Sequence, residues 1–471
     1  MLDHSVTLIL SLLCQGCYLL MLWALFQTWR SILRRPQLTK KRRRRPADLT
    51  KPPACPDCQA ERKAQEQELE PPPRIEQKRG RPREVDTNSQ HCPNRECSYY
   101  GWPGLGNIRA NGHPGGGRWR QLECVVCGKC FMETSNTPFF GKRAVAETIG
   151  QALKALAEGL SIRATARVFE VDPNTIETWL VQAAEHLEAV SHFLIHDLHL
   201  TQVQVDELWA LLGKHDGQAQ HQNVKRSRTV RWVWAGIDPV SKLLLACVVG
   251  DRSVETAQLL IHLIASLLAL DCLPLFMSDQ WSPYATALLT HFGHWVPTPR
   301  RHPRGRPPKP RWQPLPALQY AQVVKHRVKG RVVAVSHRVV YGSLESIEAT
   351  LKLSGVGKVI NTAFIERVNL SIRQGVAALR RKVSCLAKTE DGLRNQLSLW
   401  RAYYNFCLPH SALRLLLPEP LPTKGNGSPK RWQQRTPAMA ASLTDRIWRL
   451  EELLLFRVPP WPPIRPAEVA A

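Results

Sequence analysis

Three carboxylates have the chemical type and setting for metal-assisted chemistry. Asp206 lies within TQVQVDELWALL, Asp279 ends LPLFMSD, and Glu366 sits in TAFIERVNLSIRQ. The first stretch alternates polar and apolar residues and reads as a strand, the second reads as a short buried strand, and the third has helical spacing. Asp206 lies within its strand and Asp279 ends another, near where ligands sit in sheets flanked by helices, so adjacent strands would stand the two side by side. Hard oxygen ligands so placed suit Mg²⁺ or Mn²⁺. Two such ions activate an attacking hydroxyl and stabilise the leaving 3′ oxygen of a phosphodiester. On the helix, Glu366, Asn369 and Arg373 share one face while Ile365, Val368 and Ile372 cover the buried one. That face offers a third metal ligand, with an amide and a guanidinium toward a phosphate backbone. Each acid also has an ordinary role open to it: Asp206 as an edge-strand solubiliser, Asp279 as a helix N-cap before Pro283, Glu366 in a surface ion pair. Glu207, Asp238, Asp251 and Glu255 are rival carboxylates, Glu207 the nearest to Asp206.

Cysteines form the second chemical constellation. Cys92-x4-Cys97 is followed, after 26 intervening residues, by Cys124-x2-Cys127. Each pair fits a knuckle turn, and four thiolates complete a tetrahedral, structural Zn²⁺ site. The intervening segment is rich in Gly and poor in apolar residues, so it needs the metal to fold. Cys130 and the isolated Cys55-x2-Cys58 pair stay ambiguous, as spare thiols or a second half-site. Thirteen Cys with no secretory cleavage pattern argue for metal binding in a reducing compartment over a disulfide framework.

The elements that must position these groups are legible in outline. Val145–Glu158 has helical apolar spacing and is ended by Gly159; Ser161 caps a short second helix; Asp172-Pro173 opens a third. Three helices with a short turn before the last match a helix-turn-helix, in which Asn174, Thr175 and Thr178 begin the recognition helix and face base edges. From Thr201 onward the pattern gives three strands, a helix over Val254–Leu270, the strand ending at Asp279, and a helix from Pro283. That order predicts a mixed sheet with helices on its faces. VVKHRV and RVVAVSHRVVY read as a hairpin turning at Lys329-Gly330.

The whole chain is basic and segmented. Its 471 residues suggest two to four domains. Lys and Arg number 64 against 39 acids, a net charge of +25, which calls for a polyanionic partner and argues against small acidic ligands. An apolar share of 44% excludes a wholly disordered chain. Residues 5–29 carry no charge and are long enough to span a bilayer, with a basic run (Arg30, Arg34, Arg35, Lys40–Arg45) behind them. Anchoring in the inner membrane by this segment is one expectation, and an apolar helix packed in an oligomer is the other. Residues 30–87 read as a basic, Pro-rich linker. Within it Lys78-Arg-Gly-Arg-Pro82 matches an AT-hook core, with Arg79 and Arg81 entering a narrow A·T minor groove; Arg304-Gly-Arg-Pro307 repeats the core.

Asp206-Glu-Leu-Trp209, Ser278-Asp-Gln-Trp-Ser-Pro-Tyr284 and Ile365-Glu-Arg-Val-Asn-Leu-Ser-Ile-Arg373 resemble the three motifs of a bacterial insertion-sequence transposase of the DDE type. The stretch LRRKVSCLAKTEDGLRNQLSLWRAYYNF resembles these enzymes too, and the similarity runs from about Cys92 to Leu415. The resemblance implies a multidomain α/β protein. A zinc ribbon (88–140) and an all-α helix-turn-helix (141–195) precede an RNase H-like mixed sheet flanked by helices (200–415). It implies that Asp206, Asp279 and Glu366 are a metal-binding catalytic triad for Mg²⁺ or Mn²⁺, that Arg373 assists DNA binding, and that the N-terminal modules bind the element's terminal inverted repeats. It further implies a cytoplasmic, DNA-associated enzyme acting on double-stranded element ends and target, at least as a dimer. Three features depart from the pattern: the apolar segment, an insertion (297–342) that stretches the gap from Asp279 to Glu366 to 87 positions, and a Pro-rich C-terminal tail (416–471). The tail reads as a docking or oligomerisation piece with one helix near Leu443–Phe456. A structure-specific nuclease on the same fold and a catalytically inactive zinc-ribbon and helix-turn-helix regulator are the other readings of the same parts.

Overall fold

The computed structural model describes residues 71–75, 87–213, 228–296, 311–381, 385–423 and 427–460. The apolar segment 5–29, the basic run, Cys55, Cys58, Arg79, Arg81 and residues 297–310 of the insertion lie outside the described residues. Among the described residues no helix is long and apolar enough to cross a membrane.

Three short strands, β1 (Ile108–Ala110), β2 (Gln121–Cys124) and β3 (Cys130–Met132), form an antiparallel sheet in that order. Its core is little more than Cys92, Cys97, Tyr99, Ile108, Leu122, Cys124 and Phe131. A core this small is marginal without a further staple.

Helices α1 (Ala146–Ala157), α2 (Ile162–Val168) and α3 (Pro173–Leu194) follow. Gly159, at φ 93°, ends α1 in the left-handed region that favours glycine. The Ser161 hydroxyl accepts from the Ala164 N–H at 3.3 Å, and the Asp172 carboxylate accepts from the Asn174 N–H at 2.8 Å with Pro173 at the first helical position. These are the starts that the Ser and Asp-Pro signals predict.

The main sheet holds six strands. β4 (Gln202–Gly213), β5 (Arg228–Ile237) and β6 (Leu244–Gly250) run as an antiparallel meander. Helix α4 (Val254–Leu267) crosses to β7 (Leu275–Asp279), parallel to β4, and α5 (Pro283–His291) follows. A small hairpin, β8 (Gly293–Val296) with β9 (Arg311–Pro314), precedes β10 (Tyr320–Val328), which lies parallel to β7. β11 (Arg331–Tyr341) closes the order β11-β10-β7-β4-β5-β6. The mixed sheet flanked by helices agrees with an RNase H-like core.

Side chains alternate across β4, and the two faces bury different partners. Val203 and Val205 pack with Trp234 under Leu260, Ile264, Tyr284 and Leu288 of α4 and α5. Leu208, Ala210 and Leu212 face the other way, under Ile365, Val368 and Ile372 of α7 (Ala363–Gly375) and Leu393 and Leu397 of α8 (Glu390–Ala402). Helix α6 (Leu344–Ser354) covers the β7–β10 end through Ile347 and Leu351.

The tail folds back on its own chain. After a hairpin of β12 (Leu415–Leu421) and β13 (Lys430–Gln433) come α9 (Pro437–Ala440) and α10 (Leu450–Leu455). Leu450, Leu453 and Leu454 enter the main core. The helix is shorter than the apolar spacing over 443–456 predicts. Ser442 takes a left-handed φ of 59°, and the Thr444 hydroxyl accepts from the Trp448 indole at 2.8 Å, a local alternative to helix.

Candidate active site

β4 carries Asp206 at mid-strand, and β7 ends at Asp279. The parallel register pairs Val205 with Ser278, so the two acids stand on neighbouring strands one rung further on. Glu366 occupies the first turn of α7, where the helix dipole favours a carboxylate. Asp206 and Asp279 thus stand on the two central strands, and Glu366 shares the Lys325 and Thr362 side chains with Asp279.

Three side chains hold them: one holds Asp206, and two bridge Asp279 and Glu366. The Asn369 amide donates to Asp206 Oδ2 at 2.8 Å, and Asn369 itself is buried. The Thr362 hydroxyl lies 3.1 Å from Asp279 Oδ1 and 3.2 Å from Glu366 Oε1, able to donate to one of them at a time. Lys325, from β10, donates to Asp279 Oδ2 at 3.1 Å and to Glu366 Oε1. Burial, reinforced by repulsion from Asp279, pushes the Asp206 carboxyl up to about 7. Burial alone would lower the Lys325 ammonium; its hydrogen bond to Glu366 and the charge of Asp279 raise it instead.

Lys325 is the site residue the sequence reading missed. VVKHRV read as one arm of a hairpin, with nothing to connect it to the acids. Its place follows from the pairing of Val323 with Asp279, which sets residue 325 two positions further along the same face. Only the strand order exposes that relation.

The remaining predicted groups fall as follows. Glu207 points to the opposite face, where it accepts from Arg252 at 3.4 Å beside Tyr284, and burial raises its carboxyl. Alternation along β4 thus separates it from Asp279 and Glu366. Asp238 caps the β5–β6 turn by accepting from the Val240 and Ser241 N–H groups at 3.0 and 2.9 Å. Asp251 pairs with Arg231 at 3.1 Å, and Glu255 sits in the first turn of α4. Asp279 is not the N-cap of α5; Ser282 takes that position. Arg373 shares the helix face of Glu366 but spends its guanidinium on the Leu379 and Trp209 carbonyls, at 3.1 and 3.2 Å. Asn174 and Thr178 are exposed at the start of α3, and Thr175 is half-buried there.

The cysteine set fits the ion its chemistry calls for. Cys92, Cys97, Cys124 and Cys127 place their sulfurs within 4.8 Å of one another. Zn–S bonds of about 2.3 Å in a tetrahedron give S–S edges of about 3.8 Å. The Cys92–Cys127 and Cys97–Cys124 separations are 3.6 and 3.9 Å. The Asn107 amide donates to Cys124 Sγ at 3.7 Å and the Tyr99 N–H to Cys97 Sγ at 3.4 Å, supporting thiolates as second-layer partners do. Cys130 is exposed and stands apart, 3.5 Å from the Asn111 amide. Among the described residues, the four cysteines are the one set of His, Cys, Asp or Glu this tightly gathered. The three acids are spread more widely, with the Lys325 ammonium acting as a stand-in cation between two of them. All-oxygen donors around a cation position suit a hard divalent ion.

No family model and no curated protein matches the chain. Among solved structures it is similar to the Mos1 strand transfer complex, at 13% identity and a TM-score of 0.13 over 31% of this chain and 53% of that one. It is also similar to the Mos1 mariner paired end complex with Mn, at 14% identity and a TM-score of 0.13 over 32% of this chain and 57% of that one. A pre-cleavage Mos1 transpososome matches at 15% identity and a TM-score of 0.12, again over 32% and 57%. The chain spans little more than half the length of the structures it matches.

Proposed function

We propose that the chain is a DDE-type DNA transposase that binds the terminal inverted repeats of a mobile element. It hydrolyses a phosphodiester to free a 3′ hydroxyl, and that hydroxyl then attacks target DNA. Water is the first nucleophile and the 3′ hydroxyl the second, so one constellation serves both steps without a covalent protein–DNA intermediate. The observation that supports this reading is the placement of Asp206 and Asp279 on neighbouring central strands of a mixed sheet, with Glu366 joined to Asp279 through Lys325 and Thr362.

Asp206, Asp279 and Glu366 would hold the Mg²⁺ or Mn²⁺, which supplies positive charge to the attacking and leaving oxygens. The protein's own groups do the rest. Asn369 fixes the rotamer of Asp206, and Thr362 does the same for Asp279 or Glu366. Burial and the charge of Asp279 raise the Asp206 carboxyl to about 7, so ion binding there would release its proton. Arg373 acts from behind, holding α7 to β4 through the Trp209 carbonyl. For DNA, the start of α3 offers exposed Asn174 and Thr178, with half-buried Thr175 between them, to base edges, and the cysteine ribbon, closed by Zn²⁺ when bound, would be a second contact. Arg79 and Arg81 would add minor-groove contacts from the linker. Action on two DNA ends favours a homo-oligomer, at least a dimer.

The test uses purified chain with Mg²⁺ and DNA carrying the gene's own flanking sequences, scoring boundary nicks and joined products. Wild type should give both, and Asp279→Asn neither. Cleavage without joining would replace this reading with the nuclease. Specific binding with no metal-dependent chemistry in either protein would replace it with the regulator.

A further inference from the structure

The β10–β11 hairpin extends beyond the sheet at the carboxylate edge. Pairing of β10 with β7 stops at Val323 and Asp279. The hairpin then continues alone, from Val324 opposite Ser336 to Val328 opposite Arg331. It closes on Lys329 and Gly330, both at positive φ (49° and 79°), as a two-residue hairpin turn requires. Five residues of projection reach about 17 Å. Lys325, at the root, sits among the acids.

Three properties mark this ribbon as a surface for a polyanion. His326 to Arg338 are all exposed. Residues 280–344 contain no Asp or Glu. Arg327, Lys329, Arg331 and Arg338 make no ion pair with any described residue. A lone two-stranded ribbon is marginal in water, and this one also exposes Val328, Val332, Val333 and Val335. A register shift opposite His326 and Arg327 leaves Val333 unpaired, a bulge that adds twist. A twisted two-stranded ribbon is one of the shapes that duplex DNA admits to its major groove.

We infer that the β10–β11 ribbon is a DNA-binding arm. Arg327, Lys329 and Arg331 at its tip grip duplex phosphates beside the phosphodiester presented to Asp206, Asp279 and Glu366. This deepens the transposase reading and rests on it for the identity of the polymer. Phosphate contacts fix register without reading sequence, so the arm sets where along the duplex the site falls.

The test compares wild type with the triple variant Arg327→Ser, Lys329→Ser, Arg331→Ser by anisotropy on a labelled random-sequence duplex, between about 50 and 200 mM salt. Each lost phosphate contact lowers the slope of log K against log salt by about 0.9. The triple variant should therefore lose about 2–3 from the slope, while Arg327→Lys, Lys329→Arg, Arg331→Lys keeps it. A photocrosslinking residue at Val333 should attach to the duplex in an otherwise unaltered chain, a readout that does not depend on how the triple variant folds. Equal slopes with no crosslink would overturn the arm while leaving the proposed catalysis standing. Loss of self-association in the triple variant, with the DNA slope unchanged, would overturn it in favour of a second copy on the β11 edge. Failure of wild type to bind the duplex at all would remove both proposals.

Discussion

At the scale of single residues the site is defined by charge that the fold concentrates and then partly balances. Asp206 carries the largest consequence. Its folded-state value is raised to about 7, so the native fold favours the protonated acid. Its stabilising contribution is present at low pH and is lost as pH rises from the unfolded carboxylate range through about 7. A divalent ion at this carboxylate must displace that proton. Mg²⁺ affinity measured calorimetrically should therefore weaken about tenfold per pH unit below about 7 and level off above it. Affinity independent of pH across that window would show that Asp206 does not take part in ion binding. The elements that carry the acids are legible in the sequence because strand and helix periodicity place each residue on one of them. Lys325 is not, because its role depends on β10 lying beside β7, a long-range pairing that no local spacing encodes. The same holds for Arg373: its helix face was read correctly, but the Leu379 and Trp209 carbonyls that occupy it come from elsewhere in the fold.

At the scale of elements, starts and turns were the most legible features. Ser161, Asp172-Pro173 and Lys329-Gly330 act locally, through one cap or one pair of backbone angles, and the structure uses each where the residue types predict. Ends set by packing were less so. The helix read to Leu270 stops at Leu267, because Leu198 pairs with Leu268 as a bridge. Gly159 couples both kinds of constraint. It needs its left-handed φ of 93°, and a Cβ there would fall 2.6 Å from the Gln374 carbonyl and against the Arg380 guanidinium, at the end of α7. Gly159→Ala should cost at least about 1–2 kcal/mol from handedness alone, with the backbone collision in addition. An unchanged denaturant midpoint would contradict the tight approach of α1 to the helix that carries Glu366.

At the scale of the molecule, the C-terminal segment joins the cysteine module to the rest. Arg457 is fully buried, donating to the Ser135 and His91 carbonyls at 3.1 Å and to Gln90 Oε1 at 3.0 Å, with its guanidinium over the Phe131 ring. Arg118, before β2, pairs with Glu451 of α10 at 2.9 Å and with Glu147 of α1. The tail, expected as a docking or oligomerisation piece, packs on its own chain, through Leu450, Leu453 and Leu454 on the main core and through Arg457 on the cysteine module. Arg457→Met would leave three acceptors without their charged donor, a loss of about 1.5–3 kcal/mol. Thermal unfolding should then show the cysteine module separating from the main transition, and a single transition at the wild-type midpoint would contradict this coupling.

Asp279→Cys tests most directly the proposal that Asp206, Asp279 and Glu366 act as ion ligands in phosphodiester chemistry. A thiolate is a poor ligand for Mg²⁺ and a better one for Mn²⁺. Nicking of DNA carrying the flanking sequences should be lost in Mg²⁺ and regained in Mn²⁺, while wild type is active in both. Nicking by Asp279→Cys in Mg²⁺ at the wild-type rate would contradict the claim.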